Sequence, residues 1–298
     1  PPRPTLDRSS AASDVYKRQV MKEALLVSPE GFGLSEQSAA DNPYMTTGLP
    51  LNLDKASRQH EALVSKLEEL GVKTRIFSGI AGQDDGVFPN NVFATAPGRL
   101  VIGSMRHPVR RKEAEREDIR AFFSETLGYE IRDLSIEACI AEMTGPLVID
   151  RARNIGFCGM SSRVDEAGCK LMAEALRLDA VLRFALASGE YHTNMILAIA
   201  AGGLCLVHPG SAPDPFLLKS LRSIYRDRIL VLNQAEKDTF AGNCIAATEK
   251  DLLGLANAVR KAGHGIVESA PAGITGDDLL APEKEMAWMK KVSIGDTL

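Results

Sequence analysis

Four short polar clusters hold most of the side chains in this 298-residue chain that are able to do chemistry. They are Phe88-Pro89-Asn90-Asn91, Glu142-Met143-Thr144-Gly145, Tyr191-His192-Thr193-Asn194 and Ala241-Gly242-Asn243-Cys244. An imidazole gives and takes protons near neutral pH. A carboxylate and amides supply acceptors for the N–H groups of a planar cation. Cys244 adds a thiol, the side chain best suited to covalent attack on carbon. Each group also has an ordinary explanation. A lone histidine is usually a satisfied core residue, and Asn90-Asn91 after Pro89 is a good turn former. The setting of His192 argues against the ordinary one, since Glu190 and Asn194 flank it and an apolar run follows. The clusters are expected to converge on one site.

The elements that must position them repeat. Residues 92–96 and 100–103 read as two strands around the turn Pro97-Gly98, then a helix over about 111–123 and a strand at 129–132. A second unit has strands at 147–150 and 155–158, a helix over about 165–176 and a strand at 181–184. A third has strands at 195–199 and 204–207, a helix near 216–225 and a strand at 229–232. A fourth has strands at 244–247 and 252–255, a helix to 261 and a strand at 265–267. A period of about fifty residues in this order marks a repeat architecture, whose units bury their faces on one another. Residues 21–77 supply a strand at 24–27, a helix capped by Asp54 and stopped by Gly71, and an alternating strand at 72–77. That is part of a further unit, which the C-terminal tail would complete. The expectation is an α/β protein of five ββαβ units closed into a ring around a pseudo-fivefold axis. Residues 21–298 form its single domain, with 252–298 an atypical closing blade, frame-shifted or degenerate. Residues 1–20, polar and without periodicity, read as a non-native extension.

Composition excludes several classes. A net charge of -4 and a pI of about 5.8 give no electrostatic case for nucleic acid or an anionic membrane. No apolar run approaches the roughly 20 residues of a membrane helix. The five cysteines lack C-x-x-C spacing and the histidines are scattered, so no metal and no disulfide framework is expected. No strand is followed by G-x-G-x-x-G, which removes a nicotinamide dehydrogenase. The expectation is a cytoplasmic protein without a cofactor.

The order of the motifs resembles the amidinotransferase and arginine deiminase superfamily, and the resemblance implies its pentein-type fold, a five-bladed α/β propeller of ββαβ repeats with pseudo-fivefold symmetry. The resemblance rests on Phe88-Pro89-Asn90-Asn91, Pro108 to Glu113, Glu142 to Pro146, Ser161 to Asp165, Tyr191 to Asn194 and Phe240 to Asn243. The nearest likeness is to bacterial hydrolases around the citrulline-utilisation branch. It implies a cysteine-dependent hydrolase or amidinotransferase acting on the guanidino or ureido carbon of a small arginine- or citrulline-like molecule, and a homodimer as the assembly to test. His192 would be the general acid and base, and Glu142 a guanidinium-binding carboxylate. Asn91 would bind the amidine end, with Asn90, Asn194 and Asn243 as further substrate-binding residues. An amide at Asn91, where many relatives carry aspartate, leans toward a ureido group. Arg163 and Arg110 or Arg111 would take the substrate's carboxylate. Two departures stand out. Met143 replaces a glycine and would crowd a ligand. The superfamily's nucleophile lies near the C-terminus, yet no cysteine follows Cys244 here. Three readings stay open: a shifted frame, a non-catalytic binding protein of the same fold, or Cys244 itself as nucleophile.

Overall fold

The computed structural model describes residues 21–45, 51–247 and 252–254. The N-terminal extension, the fourth unit's helix and last strand, and the remaining tail lie outside the described residues. In chain order the first elements are β1 (Glu23–Val27), α1 (Glu36–Ala39), α2 (Leu53–Glu69) and β2 (Lys73–Phe77). The next unit comprises β3 (Phe93–Ala96), β4 (Arg99–Ile102), α3 (Pro108–Ala114), α4 (Glu117–Ala121) and β5 (Glu130–Asp133). Then come β6 (Leu147–Asp150), β7 (Ile155–Met160), α5 (Glu166–Ala175) and β8 (Ala180–Ala185). The next unit is β9 (Leu197–Ile199), β10 (Cys205–Val207), α6 (Pro215–Tyr225) and β11 (Ile229–Val231). After α7 (Gln234–Asp238) the chain reaches β12 (Cys244–Ala246) and β13 (Leu252–Gly254).

The pairing repeats as the sequence suggests. In the sheets β3-β4-β5, β6-β7-β8 and β9-β10-β11 the first pair is antiparallel and the second parallel. β1 and β2 pair in parallel, and β12 and β13 are antiparallel. The described residues thus form five small sheets, none closed into a barrel. Each antiparallel pair needs a tight turn, and Gly98 (φ 70°) and Asn154 (φ 56°) take the left-handed conformation that glycine and asparagine tolerate. The parallel partner then requires a crossover, supplied by a helix laid over the unit. The first and last sheets also meet. The Met21 amide donates to the Ala246 carbonyl at 3.4 Å, and Ala247 packs with Met21, Leu26, Leu63 and Leu67.

Some local expectations are corrected. The helix over 111–123 is two helices, because Arg116 leaves the helical region to bond Asp118 and the Ser78 carbonyl. The cap of α2 is Asn52, whose side chain accepts from the Lys55 amide, and Asp54 sits in the first turn. β2 is less buried than its alternation suggests, with Ile76 46% exposed, because no third strand covers that two-stranded sheet among the described residues. Met195 belongs to a 3-10 turn ahead of β9.

Candidate active site

The clusters are the turns that enter the first strand of each unit. A 3-10 turn at Pro89–Asn91 precedes β3, and another at Thr193–Met195 precedes β9. Neighbouring turns are tied by their backbones. The Thr144 amide donates to the Asn90 carbonyl at 3.2 Å, and the Asn194 amide to the Gly145 carbonyl at 3.1 Å. Thr193 adds a buried clamp. Its hydroxyl donates to the Pro146 carbonyl at 2.5 Å and accepts the Gly159 amide at 2.7 Å. Local turn chemistry therefore places the side chains, and bonds between units set their spacing.

These turns border a cavity of about 220 Å³. Asn91, His192, Asn194, Asn243, Arg110 and Arg163 are its polar lining residues of most chemical interest. Phe32, Tyr44, Phe88 and Tyr191 give it aromatic walls. Such a mixture of apolar wall and few converging polar groups is the usual character of a small-molecule site. The Asn194 side-chain oxygen is buried without a hydrogen-bond partner, as is Arg163 Nε.

Glu142 is fully buried beside this cavity. Its Oε2 receives Arg163 Nη1 at 3.0 Å and lies 3.3 Å from His192 Nε2, and its Oε1 accepts the Arg106 amide at 3.3 Å. Burial alone would raise this carboxyl, but the His192 hydrogen bond and the Arg163 charge outweigh it and bring the pKa down to about 2. For His192 burial wins over the attraction of Glu142 and holds the imidazole below its ordinary value. An ionised carboxylate only accepts, so Nε2 carries the proton toward Glu142 and Nδ1 is the basic nitrogen. His192 is further held by the Tyr191 ring, with centroids 4.2 Å apart, and by Gly145, where a Cβ would stand 2.6 Å from Nε2. The arrangement is an oriented, neutral imidazole backed by a fixed negative charge.

The sequence pattern of the family described as N,N dimethylarginine dimethylhydrolase, eukaryotic, matches residues 28–263. The chain belongs to this family. Membership places it among enzymes that hydrolyse carbon–nitrogen bonds of guanidino groups, and bears out the superfamily resemblance read from the clusters. No curated protein matches the chain. Among solved structures, the dimethylarginine dimethylhydrolase of Pseudomonas aeruginosa, a cysteine-to-serine mutant complexed with citrulline, is 19% identical with a TM-score of 0.62. The match covers 82% of this chain and 89% of that one. The N-terminal domain of ArgZ, a cyanobacterial arginine dihydrolase, was solved as a cysteine-to-serine mutant bound to substrate. It is 17% identical with a TM-score of 0.70, over 93% of this chain and 99% of that one. AgrE, as a cysteine-to-alanine mutant with L-arginine, is 21% identical with a TM-score of 0.68, over 81% of this chain and 36% of that one. At these identities the likeness establishes a shared α/β fold.

Within this family member the expected residues divide. Asn91, Arg163, His192, Asn194 and Asn243 meet at the cavity, and Glu142 stands behind His192. Asn90 is buried beside Asn91, donating to its side-chain oxygen at 3.0 Å, and does not line the cavity. Arg111 is a correction. It bonds the Met105 and Arg106 carbonyls, and Arg110, one residue earlier on α3, faces the cavity instead. Cys244 is another. It packs in the apolar cluster of Ala198, Leu206 and Leu230, and burial pushes its thiol up to about 12. Met143 crowds nothing, because its side chain is fully buried in the core. Sequence reading singled out neither Asp85 nor Tyr44, nor the other lining residues between Phe32 and Met45. The one available signal was the acidic Asp84-Asp85 pair just ahead of Phe88.

Proposed function

We propose that the cavity binds the guanidino or ureido group of a small arginine- or citrulline-like molecule for cysteine-dependent hydrolysis or amidino transfer. The observation that carries this reading is the His192–Glu142 pair at a cavity edged by the amides of Asn91, Asn194 and Asn243. In the reaction His192 takes the proton of a thiol, the thiolate adds to the central carbon, and His192 gives that proton to the departing amine. His192 then takes a proton from water, which adds to the thiouronium carbon and expels the thiolate, leaving a ureido product. The fixed charge of Glu142 stabilises the imidazolium that forms within each half, and the amides accept the N–H groups of the planar carbon centre.

The relatives support the cysteine chemistry, since those holding citrulline, substrate or L-arginine have a cysteine replaced. A second reading, ligand binding without turnover, is favoured by one observation. No described cysteine lines the cavity. We further infer that the five sheets close as a five-bladed propeller, supported by the Met21–Ala246 bond between the first and last of them. The cysteines are free thiols, which suits a reducing cytoplasmic compartment.

Calorimetry with L-arginine, its dimethylated form and L-citrulline, run beside an assay for released amine, tests both readings. Binding with amine release supports the hydrolase, and binding without release supports the second reading. Failure of every guanidino and ureido compound to bind overturns the proposal.

A further inference from the structure

Both arginines at the cavity already hold carboxylates of the protein. Arg110 offers Nε and Nη2 to Glu113 at 2.9 and 2.8 Å, with Asp85 3.8 Å away. Arg163 uses Nη1 for Glu142 at 3.0 Å and turns Nη2 to the Asp41 carboxylate and, at 3.4 Å, the Ser38 carbonyl. Asp41 follows α1 and Arg163 follows β7, so the contact joins segments remote in sequence. The same carboxylate lies 3.3 Å from Arg106 Nε and 3.1 Å from His107 Nε2, and accepts the Ser162 hydroxyl at 3.2 Å. Two guanidiniums, an imidazole and a hydroxyl around one carboxylate form a built carboxylate site, and a side chain of the protein occupies it.

We propose that Asp41 takes, from within the chain, the place at Arg163 that a ligand's carboxylate would fill, so that the cavity selects guanidino or ureido compounds without a carboxylate at that end. The nature of the ligand rests on the function proposed above, and the occupancy of the site does not. Charge supports the selection. Arg110 and Arg163 face four carboxylates, those of Asp85, Glu113, Glu142 and Asp41. Each arginine at the cavity is thus already paired with a carboxylate of the protein, Arg110 with Glu113 and Arg163 with Glu142 and Asp41. Burial works against ionised Asp41, but the bond and charge of Arg163 hold its carboxyl below the ordinary value, so it is a carboxylate at neutral pH. A ligand carboxylate must then displace a bound anion and enter a field of like charge, whereas an ammonium or guanidinium enters a favourable one.

The stretch carrying Asp41 is held at other points too. The Ser38 hydroxyl donates to the Asp85 carboxylate, and the Gln37 side chain accepts the Val109 amide at 3.2 Å. Removing the Asp41 charge therefore opens the site at Arg163 while these two ties still hold the segment.

Calorimetry on the full chain compares L-arginine with 1-amino-4-guanidinobutane, which differs only in lacking the carboxylate. The wild type binds the amine at least about tenfold tighter, a modest share of the usual like-charge penalty. Asp41→Asn tightens L-arginine about tenfold and the amine much less, and Asp41→Glu restores the wild-type preference. A ratio unchanged in Asp41→Asn overturns the proposal. A second arm uses formate as the probe, followed by NMR. Asp41→Ala, its folding checked by thermal melting, binds formate and the wild type does not. Equal formate binding by the two overturns the occupancy even where guanidino ligands bind. If no guanidino compound binds any variant, the function proposed above falls, and the formate arm still decides whether Asp41 fills a carboxylate site.

Discussion

Replacing Gly145 by alanine tests the placement of His192 directly. The backbone there is not in the left-handed region, so the cost is steric. The added Cβ would stand 2.6 Å from His192 Nε2, 2.7 Å from Cε1 and 2.8 Å from Cδ2. An ordinary contact needs about 3.5 Å or more, so the ring has to retreat by roughly 1 Å. Its other face is against Tyr191, with centroids 4.2 Å apart, and it is 3% exposed. Retreat therefore strains the packing, at about 1–3 kcal/mol for an overfilled core. It also stretches the 3.3 Å contact with Glu142 beyond hydrogen-bond range, which removes about 1.5–3 kcal/mol for a bond to a charged group. The two losses overlap, because relaxation relieves one at the expense of the other, and a destabilisation of about 3 kcal/mol is expected. Urea unfolding at pH 7 reads the stability, and calorimetry with the best-bound guanidino compound reads a loss of about tenfold in affinity. Gly98→Ala is the control. Its Cβ meets nothing within 4 Å, so only the φ of 70° is penalised and ligand binding stays intact. A Gly145→Ala protein with wild-type stability and affinity would show that the imidazole does not lie against this turn.

Other outcomes follow from the same contacts. Glu142 has a carboxyl depressed from 4.5 to about 2, so its contribution is complete above about pH 4.5 and disappears as pH falls through 2. The shift corresponds to about 3 kcal/mol, and Glu142→Gln should lose that acid-sensitive stability, with wild type and variant converging in urea unfolding near pH 2. Native Cys244, its thiol at about 12, should resist iodoacetamide at pH 8 and react only after unfolding, as mass spectrometry would reveal. Thr193→Val removes the clamp on Gly159 and Pro146 and should cost about 2 kcal/mol in chemical denaturation, because two buried hydrogen bonds are lost and the Gly159 amide keeps only its 3.2 Å bond to the Pro146 carbonyl. Arg111→Ala should leave ligand affinity unchanged, since Arg111 bonds only the Met105 and Arg106 carbonyls. A large affinity loss would return Arg111 to the site.

Much of the architecture was legible because it is written in local signals. Apolar runs, turn residues and helix caps recur about every fifty residues, and the strand limits they suggest agree closely with β6, β7, α5 and α6. The same periodicity groups His192, Asn91, Asn194 and Asn243, since each stands just ahead of an equivalent strand, and all four line the cavity. Side-chain direction did not follow from that register. Arg110 and Arg111 are adjacent on one helix, and which of them turns inward depends on Glu113 and the Phe88 carbonyl, contacts the sequence does not display. Met143 and Cys244 were misread for the same reason, because the period places a residue on an element without saying which of its faces meets the core.

The sequence by itself determined the repeat, the family and the convergence of the polar clusters, all properties of residue type and spacing. Tertiary structure decided the charge state of the site. Burial and the junction of distant turns make Glu142 a fixed anion and His192 a neutral base, and only the folded chain sets Asp41 against Arg163. The physical reason is that a side chain's electrostatic environment is assembled from segments far apart in sequence, and folding alone brings them within reach of one another.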